Sequence, residues 1–319
     1  MSGRLFDAYL VVDWSARSQP SPLRPAKDAI WIGSVERGAA PALSYHRTRA
    51  DATAALKGHL EGALARGRRV LVGVDFALGY PAGFAAAIGA RGWRGVHARL
   101  AAGLHDDARN GNDRFALAAA LNAAVGPGPG PFWGCPKGAR GPHLGSTRAF
   151  TYPHQGLARL RVTDARLPGV QEVWKLLGVG SVGSQSLVGI PRVRALRRDR
   201  ALRGAARLWP FETRFADALP REGPLVLFAE VWPSLLERSA PTKPSPRKLP
   251  ADAAWTRATK LAVRGLPPIR DAWQVAGLAE WLAEWDEAGE LEALLAGPPD
   301  LDRATRRRCV REEGWILGA

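Results

Sequence analysis

The chain has 319 residues, 46% of them hydrophobic, and a formal charge of +15, enough apolar content for a sizeable core. Its apolar runs fall far short of the roughly 20 residues that a bilayer span needs, so no membrane partner is expected. Cys135 and Cys309 stand without a CxxC or a nearby His at ligand spacing, which argues against a zinc site or a disulfide framework and leaves oxygen as the donor for any metal.

The basic balance implies attraction to polyanions, so nucleic acid or a phosphorylated small molecule is the expected partner. No apolar run followed by a small-residue cleavage site opens the chain, and a cytoplasmic location is the expectation. The length suits one α/β domain over residues 1–319, with residues 82–223 as an inserted, loop-rich and helical subregion. Nothing in the sequence sets the oligomeric state.

The stretch from Ala8 to Ser15 reads as a short apolar strand ended by Asp13. A loop rich in Ser, Pro and basic residues covers 16–27, and Ala29 to Val35 and Leu43 to Thr48 read as second and third strands. Ala54, Leu56, Leu60 and Leu64 recur at near-helical spacing, with Asp51 near the start and Gly67 past the end, which predicts a helix over 50–65. Leu71 to Phe76 is then a buried strand that delivers Asp75 and is cut off by Gly79 and Pro81. A helical crossover sets this fourth strand parallel to the first and brings Asp13 and Asp75 side by side.

Residues 82–210 lose the regular pattern. A helix runs from Asp113, its candidate cap, through Ala124, with Phe115, Leu117, Ala118 and Leu121 apolar, and ends at Gly126-Pro127-Gly128-Pro129. A helical patch is expected over Val170 to Leu177. The following segment, Gly178-Val179-Gly180-Ser181-Val182-Gly183-Ser184, matches GxGxxG by letter. Gly180, Ser181 and Ser184 are candidate phosphate binders through successive backbone N–H groups, set against a structural glycine turn. Two features oppose a familiar nucleotide loop: Pro191 interrupts soon after, and Ser184 stands where a phosphate loop needs Lys. Arg192 and Arg194 open a basic run that reads either as phosphate-neutralising or as a solvated helix face.

Pro224 to Pro233 is a further strand, delivering Glu230. A Pro/Lys-rich loop covers 240–250. A helix begins around Asp271 after Pro267-Pro268, with Val275, Leu278, Leu282 and Trp285 on one face. Four acids, Asp13, Asp75, Glu230 and Asp271, thus sit at strand ends or a helix start. Converging carboxylates repel unless a hard cation neutralises them, which makes Mg²⁺ or Mn²⁺ the expected cofactor. Two such ions, roughly 3.5–4 Å apart, would activate a water and stabilise the leaving oxygen in phosphodiester cleavage. The competing reading makes each Asp a turn or helix cap. No HExxH and no GxSxG is present, so neither a zinc peptidase nor a nucleophile-elbow hydrolase has support.

The order of three strands, a helix, a fourth strand, a fifth strand and a closing helix resembles the ribonuclease H-like fold. More narrowly, Val74-Asp75-Phe76-Ala77-Leu78-Gly79-Tyr80-Pro81, Ala229-Glu230-Val231-Trp232-Pro233, Asp271-Ala272 and Glu313-Gly314-Trp315-Ile316 resemble a bacterial family described as predicted nucleases of that fold. The resemblance covers residues 6–81 and 224–316. It implies a mixed five-stranded sheet flanked by helices, with a long insertion between the fourth and fifth strands. It also implies Mg²⁺ binding by Asp13, Asp75 and Asp271, with Glu230 as an additional ligand. Some relatives in that family carry the label of molybdopterin guanine dinucleotide synthesis proteins, which implies as the alternative a non-hydrolytic accessory or binding protein for a nucleotide-like cofactor.

Overall fold

A computed structural model describes residues 3–237 and 269–319; the expected loop at 240–250 and the Pro267-Pro268 pair lie outside them. The chain opens with β1 (Ala8–Asp13), β2 (Ile30–Glu36) and β3 (Ala42–His46), crosses over through α1 (Arg49–Ala65), and returns as β4 (Arg69–Val74). The short α2 (Phe84–Ala87) follows, then α3 (Gly92–Gly103), α4 (Arg114–Val125), α5 (Val162–Arg166) and α6 (Gly183–Arg198). The edge strand β5 (Ala206–Leu208) precedes β6 (Leu225–Glu230). Beyond residue 268 come α7 (Arg270–Glu287), α8 (Leu291–Ala296), α9 (Arg303–Arg308) and a π-type turn, Cys309–Glu313.

These strands form one mixed sheet of order β3-β2-β1-β4-β6-β5. β1, β4, β6 and β5 run parallel, and β2 is antiparallel to both β1 and β3. The fold is therefore α/β with helices on both faces, and the sheet has six strands rather than five. The additional strand is three residues long at the edge, too short to leave a period-2 signature.

Alternation along the central strands decides which face each side chain joins. Leu10, Val12, Val70, Val72 and Phe228 enter a core shared with Leu56 and Leu60 of α1, Val96 and Leu100 of α3 and Leu187 of α6. Tyr9, Val11, Leu71, Leu227 and Ala229 enter the opposite core with Val275, Leu278 and Leu282 of α7. Both faces being covered explains why β1 and β4 read as continuous apolar runs. α7 lies directly on β2 because Gly33 has no side chain: a Cβ there would stand 2.7 Å from the Val275 backbone.

Three local expectations need correction. Residues 170–177 are turn and loop, not helix. α6 begins at Gly183 and runs through Pro191, so a helix does follow the glycine segment. Asp113 holds the N-cap position of α4, but its carboxylate accepts from the His105 amide instead of capping the helix. Among the described residues no helix is long and apolar enough to cross a membrane.

Candidate functional site

The parallel strands β1, β4 and β6 end at one edge of the sheet, the edge where open α/β sheets bind ligands. Val12 pairs with Val74 and Val74 with Glu230, which sets Asp13, Asp75 and Glu230 near one level. The Asp75 amide donates to the Val12 carbonyl at 3.2 Å, extending the ladder one residue past β4. The Asp13 and Asp75 carboxyls lie close enough to act on each other, and Asp75 accepts the Trp14 amide at 2.8 Å.

β2 starts beside the end of β1, with Asp13 opposite Trp31, so the residues just before β2 reach the same edge. Asp28 arrives there in the left-handed region, φ 56°, which Asp tolerates better than most residues. Its amide donates to the Asp271 carboxylate at 2.7 Å. Asp271 lies in the first turn of α7, whose seating on Gly33 fixes its height above β2. Asp13, Asp28, Asp75 and Asp271 all line one cleft of about 770 Å³.

Burial raises the Asp13 carboxyl well above the ordinary carboxylate range, and the charges of Asp75, Asp271 and Asp28 push it further. Burial also raises Asp75; the neighbouring Asp13 carboxyl and the Trp14 amide act against it. Asp271 is raised by burial, partly offset by the Asp28 amide.

Glu230 lines the same cleft but does not join the aspartates. Its two carboxylate oxygens accept from Arg161 at 2.6 and 2.7 Å, and the same guanidinium binds Asp164 at 2.7 and 3.0 Å. Burial alone would lower the Arg161 pKa, but Asp164 and Glu230 outweigh it and raise it. Glu230 thus serves as the counter-ion of a buried arginine and is not brought together with the three aspartates expected beside it.

The glycine segment does border the cleft: Gly180, Ser181 and Ser184 are among its lining residues. The Ser184 hydroxyl is already committed, donating to the Leu176 carbonyl at 2.6 Å and accepting from Arg114 at 3.0 Å. Arg192 and Arg194 lie elsewhere. Arg192 binds Asp106 at 2.7 and 3.1 Å, and Arg194 lines a separate cavity. The arginines that face the cleft are Arg17, Arg114 and Arg161. Arg17 is exposed, while burial lowers Arg114 to about 10.

Asp28, Arg17 and Arg114 escape a motif reading because each sits in a loop or helix start with no local pattern. A topological signal existed for Asp28 alone: in an antiparallel pair the residue before the second strand lies beside the last residue of the first.

The aspartates offer oxygen donors of the kind that Mg²⁺ or Mn²⁺ takes, and Mg²⁺ commonly uses one or two carboxylates together with water and substrate oxygens. The Asp13–Asp75 pair fits that pattern. Among the described residues no group of three or more His, Cys, Asp or Glu stands at ion-binding spacing. Set beside family models, curated proteins and solved structures, the chain finds no match in any of the three comparisons.

Proposed function

We propose that the chain is a divalent-metal-dependent hydrolase acting on phosphodiesters or nucleotides. One observation carries the reading: the half-buried carboxyls of Asp13 and Asp75 meet at the ends of adjacent parallel strands, with two more aspartates beside them. Burial and mutual repulsion both oppose such an accumulation, and a bound cation relieves both. Asp13 and Asp75 would hold one Mg²⁺ or Mn²⁺, with Asp271 and Asp28 adding charge from the β2 side. Bound there, the ion would polarise a phosphoryl oxygen and lower the pKa of a coordinated water. A single ion suits a carboxylate pair better than the two-ion arrangement expected from four converging acids.

The other residues have complementary roles. Asp271, raised by burial and exposed to the cleft, is the candidate proton acceptor for the attacking water. Arg17 and Arg114 are placed to meet phosphate oxygens. The sheet order supports the ribonuclease H-like reading, in which β2 is the one antiparallel strand, the stretch between β4 and β6 is the insertion, and β5 is an addition to it. A cleft of about 770 Å³ falls in the roughly 300–1,000 Å³ range of small-molecule sites, which favours a nucleotide-sized ligand over a duplex.

The same volume favours, as a second reading, a protein that binds a nucleotide-like cofactor such as molybdopterin guanine dinucleotide without cutting it. Incubation with DNA, RNA and nucleotides in the presence of Mg²⁺ or Mn²⁺ separates the two. Cleavage that disappears in both Asp13→Asn and Asp75→Asn is the expected result, and cleavage that survives in both overturns the hydrolase reading. Thermal stabilisation by guanine nucleotides or a pterin, with no turnover, selects the binding protein instead.

A further inference from the structure

We infer that a second site, distinct from the aspartate cleft, takes a tetrahedral oxyanion that still carries a proton, hydrogen phosphate being the simplest example. The site is a cavity of about 130 Å³ between α3, α6 and β5, and no residue lining it also lines the cleft. At roughly 30 Å³ per water it has room for about four waters, which is the scale of one small oxyanion. Arg194 and Arg198 from α6 and His97 and Arg94 from α3 border it.

His97 supplies the specificity. Its ring is 1% exposed, and Nε2 stands 2.7 Å from the Leu78 carbonyl. A carbonyl only accepts, so Nε2 carries the hydrogen, and in a neutral imidazole Nδ1 is then an acceptor. Burial pulls the His97 pKa down to about 4, with Arg194 acting in the same direction, and the ring is neutral at physiological pH. Nδ1 is buried without a hydrogen-bond partner, a condition that costs free energy and is rare in native structures. The missing partner has to be a donor.

The surrounding charge selects an anion. Arg197 binds Glu212 at 2.8 and 3.0 Å, and Arg94 adds a contact at 3.1 Å. Four guanidiniums therefore face one carboxylate, already shared by two of them. The side chains of Arg194 and Arg198 make no hydrogen bond or ion pair to the described residues, and Arg198 is exposed. The ligand must present anionic oxygens to these arginines and one O–H to Nδ1. Inorganic phosphate near neutrality always keeps at least one O–H. Sulfate has none, and would leave Nδ1 facing a second acceptor.

Calorimetric titration of the full chain with inorganic phosphate, and separately with sulfate at matched ionic strength, tests the assignment. Phosphate should bind, sulfate should bind at least about tenfold more weakly, and Arg194→Gln with Arg198→Gln should weaken phosphate binding by at least about tenfold. Arg194 is half-buried and Arg198 exposed, so this double variant should keep the fold where His97→Gln need not. Asp13→Asn should leave phosphate binding unchanged. Undetectable binding up to about 10 mM phosphate, equal affinity for sulfate, full binding by the arginine variant, or loss of binding in Asp13→Asn each overturns the inference.

Discussion

Glu230 ends β6 much as Asp13 ends β1, and yet the two carboxyls have opposite surroundings. Asp13 meets another acid; Glu230 meets Arg161, which is itself buried and also bound to Asp164. Breaking one side of a buried ion pair leaves a charge without compensation. Glu230→Gln should therefore lower stability on the order of 3 kcal/mol, since Asp164 still neutralises part of the guanidinium. Urea denaturation measures this, and a Glu230→Gln protein that is as stable as the parent but fails to bind Mg²⁺ would restore Glu230 to the metal site. The partner was illegible in the sequence. Arg161 lies in a loop-rich stretch far from Glu230, and no local spacing distinguishes an acid that meets a cation from one that meets another acid. Ser184 teaches the same lesson at smaller scale: the residue borders the cleft, but its hydroxyl is spent on Leu176 and Arg114.

At the scale of elements, β1, β2, β4 and β6 and the helices α1, α4 and α7 were legible because their patterns are local, whereas α6, which runs through Pro191, was not. β1, β2, β4 and β6 announce themselves as apolar runs, and α7 as an amphipathic face. α3 was equally legible and is a missed pattern: Trp93, Val96, His97 and Leu100 recur at helical spacing and are all buried. What no pattern shows is how close two elements come. Gly33 is the contact through which α7 reaches β2, with the Val275 carbonyl carbon and oxygen each 2.7 Å from where a Cβ would stand. Backbone cannot move aside as a flexible side chain would, so Gly33→Ala should push α7 outward and cost about 1–3 kcal/mol, the usual range for overpacking. Because Asp271 rides on the first turn of α7 and is tied to the Asp28 amide, the same substitution should weaken Mg²⁺ binding beyond the stability loss. Thermal denaturation with and without Mg²⁺ separates the two effects. An equal drop in both conditions would show that α7 does not position the site.

For the whole molecule, the net charge of +15 leaves more cations than acids to pair with them, though some of the arginines are used internally. Arg49 is fully buried on Asp106, Arg192 shares the same carboxylate, and Arg197 holds Glu212; a net charge cannot reveal how many of its arginines are already paired. The aspartate cleft gathers acids instead, and on the proposed reading it should make global stability depend on pH and metal together. Asp13 and Asp75 have folded-state pKa values raised above those of the unfolded chain, so between the two values the native state binds more protons than the unfolded state. Stability then falls as pH rises from the ordinary carboxylate range, near 4, toward the raised values. Metal-free protein should be more stable near pH 5 than near pH 8, and Asp13→Asn should flatten that slope and stabilise the protein at pH 8 by more than about 1 kcal/mol. On the proposed metal site, a divalent cation should bind the ionised pair and reverse the dependence, adding about 2.7 kcal/mol at a free concentration a hundred times its dissociation constant. Denaturation midpoints collected across this pH range, with chelator and then with Mg²⁺ or Mn²⁺, check both signs at once. Curves with the same pH slope in chelator and in metal would mean that the pair keeps its proton and holds no cation, and the metal-dependent chemistry proposed for this cleft would lose its basis.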